Sequence, residues 1–466
     1  MKASLVLPCL ALLAGLAPAG PSLLAADPTD PTAPAAPAAP APPVLPRTDA
    51  HGNALRRAPT GHISNYDEDK VGAYVLPDPL VLESGQPVGD AATWYNLRRP
   101  EILELYRKYI YGRIPDSAPS AHFEIVSTDR NGMDGTAIIE QVAGHFGPGA
   151  GGPTVHLVIY LPAHATGPVP VLLHVNFFGN PALPGGPAPV IPAAILAANQ
   201  AGAPAAGARR PAIREAGPIA DILARGYGYA SFRYTEIEPD VAWGAPNRPI
   251  GVRALALAPG QTKPAPDEWG SISAWAWVAS RVLDYLQTDP AVDGKRVALI
   301  GHSRLGKTVI WAGARDPRFA IVYSSCAGEL GTSLARRDFG ETVDDMAANF
   351  PWQFAGNIQR FPAHWNDLPV DTHMVIALNA PHPVFIGGGT TDQWADPRGE
   401  FLAEVAAGPV YRLVGKTDLG TTEMQIDTPY ITGDLGFHYH TGGHAITPSD
   451  WKAFLAFTDK YFRRAN

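Results

Sequence analysis

The chain has 466 residues, 46% of them apolar and 17% charged, which is enough to bury a large core and excludes a disordered tail or a small disulfide scaffold. Lys plus Arg number 36 against 44 Asp plus Glu, a net charge of −8. With no basic run to neutralise a phosphate backbone, nucleic acid is excluded as the expected partner.

Residues 1–26 read as an export signal. Met1-Lys2 supplies a positive start, residues 5–16 an apolar stretch, and Ala17-Pro18-Ala19 or Leu24-Ala25-Ala26 a small-residue cleavage site. The apolar stretch is short for a membrane span, so the expectation is a periplasmic or extracellular protein without stable membrane insertion. Loss of the signal removes Cys9 and leaves Cys326 alone. An internal disulfide is then impossible, and stability must come from the core. Residues 27–61, mostly Ala, Pro and Thr at first, read as a linker of extended polyproline-like chain. One catalytic domain is expected over 62–466. No repeat of about 20–50 residues is visible, which removes solenoids and propellers.

Short apolar runs at 155–162 and 169–176, separated by a Gly-Pro turn, predict two neighbouring strands. Further strands are expected at 227–234, 296–300, 319–323, 382–386 and 410–414. Between them the clearest helix spans 272–286, where Ile272, Trp275, Ala279, Val282 and Leu286 recur at helical spacing. Continuous apolar strands alternating with helices predict an α/β fold, a mostly parallel sheet covered on both faces. The Ala/Pro/Gly-rich segment 184–211 reads as a long loop over that sheet, lining the site.

The chemistry gathers where the 296–300 strand ends. Gly301-His302-Ser303-Arg304-Leu305-Gly306-Lys307 lies between a strand and a helix, the context of a nucleophile elbow. A serine on such a turn stands above the sheet edge, and N–H groups at the helix start can hold an oxyanion. The match is imperfect, because Leu305 holds the second-glycine position and Gly306 comes one residue later. A plain strand-to-helix cap is one alternative. Another is a phosphate loop, since Gly301, four residues, then Gly306-Lys307-Thr308 also fits that spacing. Against the latter, the next strand runs into Ser324-Ser325-Cys326 without an aspartate for magnesium.

A serine nucleophile needs an acid and then a histidine later in the chain. His444, in Gly442-Gly443-His444 before the helix opening at Pro448-Ser449-Asp450-Trp451, is the candidate base. His438 and His440 compete, and the three also read as zinc ligands, though without a cysteine or carboxylate at familiar spacing. Asp392, just beyond the 382–386 strand, is the candidate acid, and Asp396 is its near rival.

Ser303-Arg304-Leu305-Gly306-Lys307 is similar to the signature of the glucuronoyl esterases, carbohydrate esterase family 15, particularly bacterial members. Asn176-Phe177-Phe178-Gly179-Asn180, Arg225-Gly226-Tyr227, Glu238-Pro239-Asp240, Trp269-Gly270, Gly340-Glu341-Thr342, Asp392-Gln393-Trp394 and Gly443-His444 resemble further family landmarks in family order. The likeness runs from residue 155 to the C-terminus, with a weaker match over 66–155. It implies an α/β-hydrolase fold and a serine esterase that cleaves the ester between 4-O-methyl-glucuronic acid of glucuronoxylan and lignin alcohols. By that resemblance Ser303 attacks the C6 carbonyl, His444 moves the proton, and Arg304 helps hold the oxyanion. Lys307, Glu341 and Trp394 match positions that contact the sugar's hydroxyls and ring, residue types that suit a polar ring with apolar faces. No cofactor or metal is expected.

One position departs from the family pattern. Many members place the triad acid, a glutamate, just after the strand that follows the nucleophile helix, where this chain has Cys326. A neutral thiol is a weak acceptor and cannot replace a carboxylate, so the acid role moves to Asp392, with Glu329 the fallback. Removal of acetyl or methyl esters from plant polysaccharide is the alternative within the same chemistry. A non-catalytic carbohydrate-binding relative is the alternative outside it. A glycosidase would instead need paired carboxylates and no serine elbow.

Overall fold

The computed structural model describes residues 48–148, 152–180, 183, 217–245, 248 and 250–463. The export signal, residues 27–47 of the linker and the 184–211 loop lie outside the described residues. The strands are β1 (Ala121–Asn131), β2 (Ala137–Phe146), β3 (Thr154–Pro162), β4 (Val169–Asn176), β5 (Gly228–Arg233), β6 (Val292–His302), β7 (Ile321–Ser325), β8 (Val384–Gly389) and β9 (Leu435–His440). They form one sheet in the order β1-β2-β3-β5-β4-β6-β7-β8-β9. Pairing is antiparallel from β1 to β5 and parallel from β5 to β9.

Side chains of a strand alternate between faces, and β4 shows it in its partners. Val171, Leu173 and Val175 enter one core, and Leu172 enters the other. The first core is closed by α1 (Arg99–Tyr109), α3 (Ser271–Leu286), α4 (Arg304–Arg315), α6 (Thr372–Ala377) and α7 (Pro397–Leu413). The second is closed by α2 (Ile219–Ala224) and α8 (Pro448–Phe462). A short helix, α5 (Val343–Asn349), lies in the long connection between β7 and β8. The periodic residues Ile272, Trp275, Ala279, Val282 and Leu286 of α3 are all fully buried, each large one contributing roughly 1.5–3 kcal/mol. α8 opens with a capping box between Thr447 and Asp450 and with Pro448 in its first turn, which satisfies N–H groups that would otherwise lack partners.

Two expectations need correction. Residues 410–414 do not form a strand, because Val410 and Tyr411 belong to α7 and share its buried face with Phe401, Ala403 and Ala407. A five-residue apolar run does not distinguish the two states. The packed chain also begins ahead of His62. Thr48 bridges Ala54 and Arg57 bridges Ile63, the Asp49 carboxylate accepts from the His51 and Asn53 N–H groups at 2.9 and 2.8 Å, and the Thr60 hydroxyl donates to Asp344. Among the described residues no helix is long and apolar enough to cross a membrane.

Candidate active site

β6 ends at His302, and Ser303 takes φ +59° and ψ −129° before α4 begins. A positive φ is strained for a side chain with a Cβ and is kept where the surroundings enforce it. The enforcement is close packing on either side of the serine. A Cβ on Gly301 would lie 2.2 Å from the Leu305 carbonyl oxygen, and one on Gly306 would lie 2.9 Å from Ala327 Cβ and 3.0 Å from the Ser325 carbonyl. The helix therefore meets the end of β7 at Gly306, while Leu305 points into the core, which explains why the glycine comes one position late. The phosphate-loop spacing makes no phosphate cradle. The Ser303 N–H donates to Ser325 O at 2.8 Å, and the Lys307 ammonium turns aside to Ala327 O and, at 3.1 Å, to Glu341 Oε1.

His444 Nδ1 is joined to Asp392 Oδ2 by a 2.7 Å hydrogen bond. Asp392 is 6% exposed and His444 33%, so the imidazole is held from the buried side and open on the other. Their loops are tied together, Thr391 N–H donating to Gly442 O at 2.7 Å and Gly442 N–H to the Thr390 hydroxyl at 3.1 Å. The rivals are engaged elsewhere. His438 and His440 both bond Asp450 through Nδ1, at 2.6 and 3.1 Å. Burial would raise that carboxyl, but the two histidines hold it down at about 2. Asp396 caps α7 through the Gly399 N–H at 3.0 Å and accepts from Arg337 Nε at 2.9 Å. Glu329 is buried beside Lys307 and Glu341, which accepts its N–H at 2.9 Å.

Ser303, Arg304, Lys307, Glu341, Asp392, Trp394 and His444 all line one cleft of about 560 Å³. The sequence thus singles out residues that the fold brings together. The Arg304 guanidinium sits near the Phe177 and Phe350 rings, at 6.0 and 5.4 Å from their centroids, and is ion-paired with Asp240.

A family model described as fungal glucuronyl esterase matches residues 264–415, the segment that holds Ser303, Lys307, Glu341 and Asp392. The carbohydrate esterase MZ0003, from an unknown prokaryotic organism, is 38% identical over 85% of this chain and 92% of its own. A glucuronoyl esterase from Solibacter usitatus is 41% identical, with a TM-score of 0.76 over 84% of this chain and 99% of that one. A family 15 glucuronoyl esterase from Teredinibacter turnerae is 33% identical, with a TM-score of 0.72 over 88% and 96% of the two chains. The chain belongs to the glucuronoyl esterases of carbohydrate esterase family 15. It is accordingly a carboxylic ester hydrolase with an α/β-hydrolase fold.

In this family 15 esterase Cys326 lies at the end of β7 with φ +47°, and its thiol approaches Ala445 O at 3.9 Å. Burial pushes the thiol well up, so it is neutral. Among the described residues, Cys326, Asp392 and His444 are the one set whose metal-type donor atoms lie within 4.8 Å of one another. The zinc trio weighed from the sequence is not assembled, because His438 and His440 serve Asp450. The sequence reading missed two neighbours of the esterase site. His302 packs against His444 with ring centroids 4.4 Å apart, and burial keeps it neutral. Arg56 stacks on Trp394 at 4.3 Å and lines the cleft. The Ala/Pro-rich composition ahead of it gives residues 27–61 the pattern of a linker and hides Arg56.

Proposed function

We propose that this family 15 esterase hydrolyses the ester between 4-O-methyl-glucuronic acid of glucuronoxylan and an alcohol of lignin, through an acyl-enzyme on Ser303. The observation that carries the reading is the His444–Asp392 hydrogen bond of 2.7 Å beside a serine on a strained strand-to-helix turn, all in one cleft.

Ser303 Oγ attacks the C6 carbonyl as His444 Nε2 takes its proton. Asp392 fixes the imidazole tautomer and stabilises the imidazolium. The carbonyl oxygen becomes an oxyanion, held by the Arg304 N–H in the free first turn of α4 and by the Arg304 guanidinium. One such donor is worth about 10²–10³ in rate. His444 then returns the proton to the leaving alcohol, and water activated by the same histidine releases the uronate. Trp394 offers a plate for the sugar ring, and Lys307 and Glu341 offer a donor and an acceptor for its hydroxyls. Export belongs to the same reading, supported by the charge and apolar pattern of residues 1–26 and by a polymer substrate that lies outside the cell.

The test is a substrate panel of benzyl glucuronate, methyl glucuronate and acetylated xylan. The reading expects the benzyl ester to be preferred. Turnover confined to acetyl groups would keep the serine chemistry and reject the uronate pocket, and no turnover on the panel would favour a binding protein.

A further inference from the structure

The cations lining the cleft are balanced in a particular way. Lys307 contacts Glu341 at 3.1 Å and Arg304 contacts Asp240. Arg56, on the exposed side, stacks on Trp394 instead.

Asp240 is the most elaborately held of these carboxylates. Its side chain is 8% exposed. Oδ1 accepts from Trp352 Nε1 and Gln353 Nε2, both at 2.8 Å, and Oδ2 accepts from the Tyr234 hydroxyl at 3.0 Å and from Arg304 Nη1. Burial alone would raise this carboxyl, but Arg304 and the Trp352 and Gln353 donors outweigh it and hold it below the usual carboxylate range. A negative charge is therefore fixed behind a guanidinium whose side chain is 31% exposed toward the cleft.

We propose that Asp240 is a specificity-determining residue whose charge cancels that of Arg304, so that the cleft takes the neutral glucuronoyl ester and lets the anionic uronate go. This rests on the reading of the cleft given above. Hydrolysis turns a neutral carbonyl into a carboxylate at the carbon Ser303 attacks, beside Arg304. A lone guanidinium in a half-closed cleft grips a carboxylate through charge-assisted, often bidentate bonds. The product would then be held more tightly than the substrate and would clog the site. Pairing with Asp240 weakens the hold on any anion, but the oxyanion keeps the Arg304 N–H as a second donor, whereas a tight grip on the product carboxylate depends on an uncompensated guanidinium charge.

The experiment measures binding without turnover, by calorimetry on the Ser303→Ala protein, with methyl glucuronate and glucuronate as probes. The neutral ester is expected to bind more tightly. Adding Asp240→Asn, which removes the charge and keeps the shape, is expected to tighten glucuronate by about tenfold or more with the methyl ester changed by less than about threefold, inverting the order. Asp240→Glu, which keeps the charge, is expected to leave glucuronate weak. Tighter binding of the acid than of the ester by Ser303→Ala itself overturns the proposal, even where Asp240→Asn fails to fold. So does an Asp240→Asn protein that binds glucuronate no better than its parent, since a merely positioning residue would lower turnover without changing this preference. If neither sugar binds, the uronate reading fails and the proposal with it. If Ser303→Ala still turns over the methyl ester, the nucleophile is wrong and the ester arm is lost, but glucuronate has no ester to hydrolyse and still decides: no tightening by Asp240→Asn overturns the proposal.

Discussion

At the residue scale, the roles divide among carboxylates that the sequence places close together. Asp392 orients His444, and replacing it by asparagine leaves the ring held in the wrong tautomer. Asp392→Asn is expected to lower kcat for benzyl glucuronate by about three to four orders of magnitude. Cys326→Ala is expected to leave kcat within about threefold, because a neutral thiol directed at Ala445 O moves no proton. Glu400 carries a pH prediction. It is fully buried, accepts from the Gly328 N–H at 3.0 Å and the Thr332 hydroxyl at 2.7 Å, and burial pushes its carboxyl up to about 8. The unfolded chain ionises near the ordinary glutamate value of 4.5, so between 4.5 and about 8 the native state binds the extra proton and stability falls as pH rises. Glu400→Gln keeps both acceptor contacts through its amide oxygen. Its melting temperature relative to wild type is therefore expected to be higher at the alkaline end of that window than at the acid end, and an equal shift at both ends would contradict the assignment.

The elements show what was legible and why. α3 and the elbow could be read because each repeats a physical signal: apolar residues at helical spacing in one, a serine between glycines at a strand-to-helix junction in the other. β1 gave no signal, since most of its side chains are exposed and no alternation marks a face. β9 is masked by His438 and His440, which alternate with Phe437 and Tyr439 but are themselves buried polar groups. The Val410–Val414 run resembles a strand because its helical partners lie up to a dozen residues earlier, outside any short window. The letters favour Asp392 by its place just beyond the 382–386 strand but leave Asp396 a near rival, because the capping of α7 by Asp396 is visible only in the fold. The late glycine of the elbow yields an element-scale prediction. Gly306→Ala would press a methyl against Ala327 and the Ser325 carbonyl, shifting α4 off β7. A loss of roughly 1–3 kcal/mol in denaturant unfolding is expected, together with reduced kcat because Ser303 starts the same helix.

For the whole molecule, the site follows from parallel strands. Ser303, Cys326, Asp392 and His444 come just after β6, β7, β8 and β9, at the carboxyl ends where an open α/β sheet gathers its ligands. Their order in the chain is simply the order of neighbouring strands. Among the described residues that line the cleft, Arg56 is the one that comes from ahead of the sheet, in the 48–61 segment. Deleting residues 48–61 removes the plate partner of Trp394 and the Thr60–Asp344 contact. It is expected to raise KM for benzyl glucuronate and to lower the melting temperature, whereas a plain linker would change neither. The central claim is a serine-dependent uronate esterase, and kcat/KM for benzyl glucuronate, measured for wild type and Ser303→Ala side by side, tests it most directly. The account predicts ready hydrolysis by wild type and a loss of several orders of magnitude in the variant; comparable hydrolysis by both proteins would contradict it.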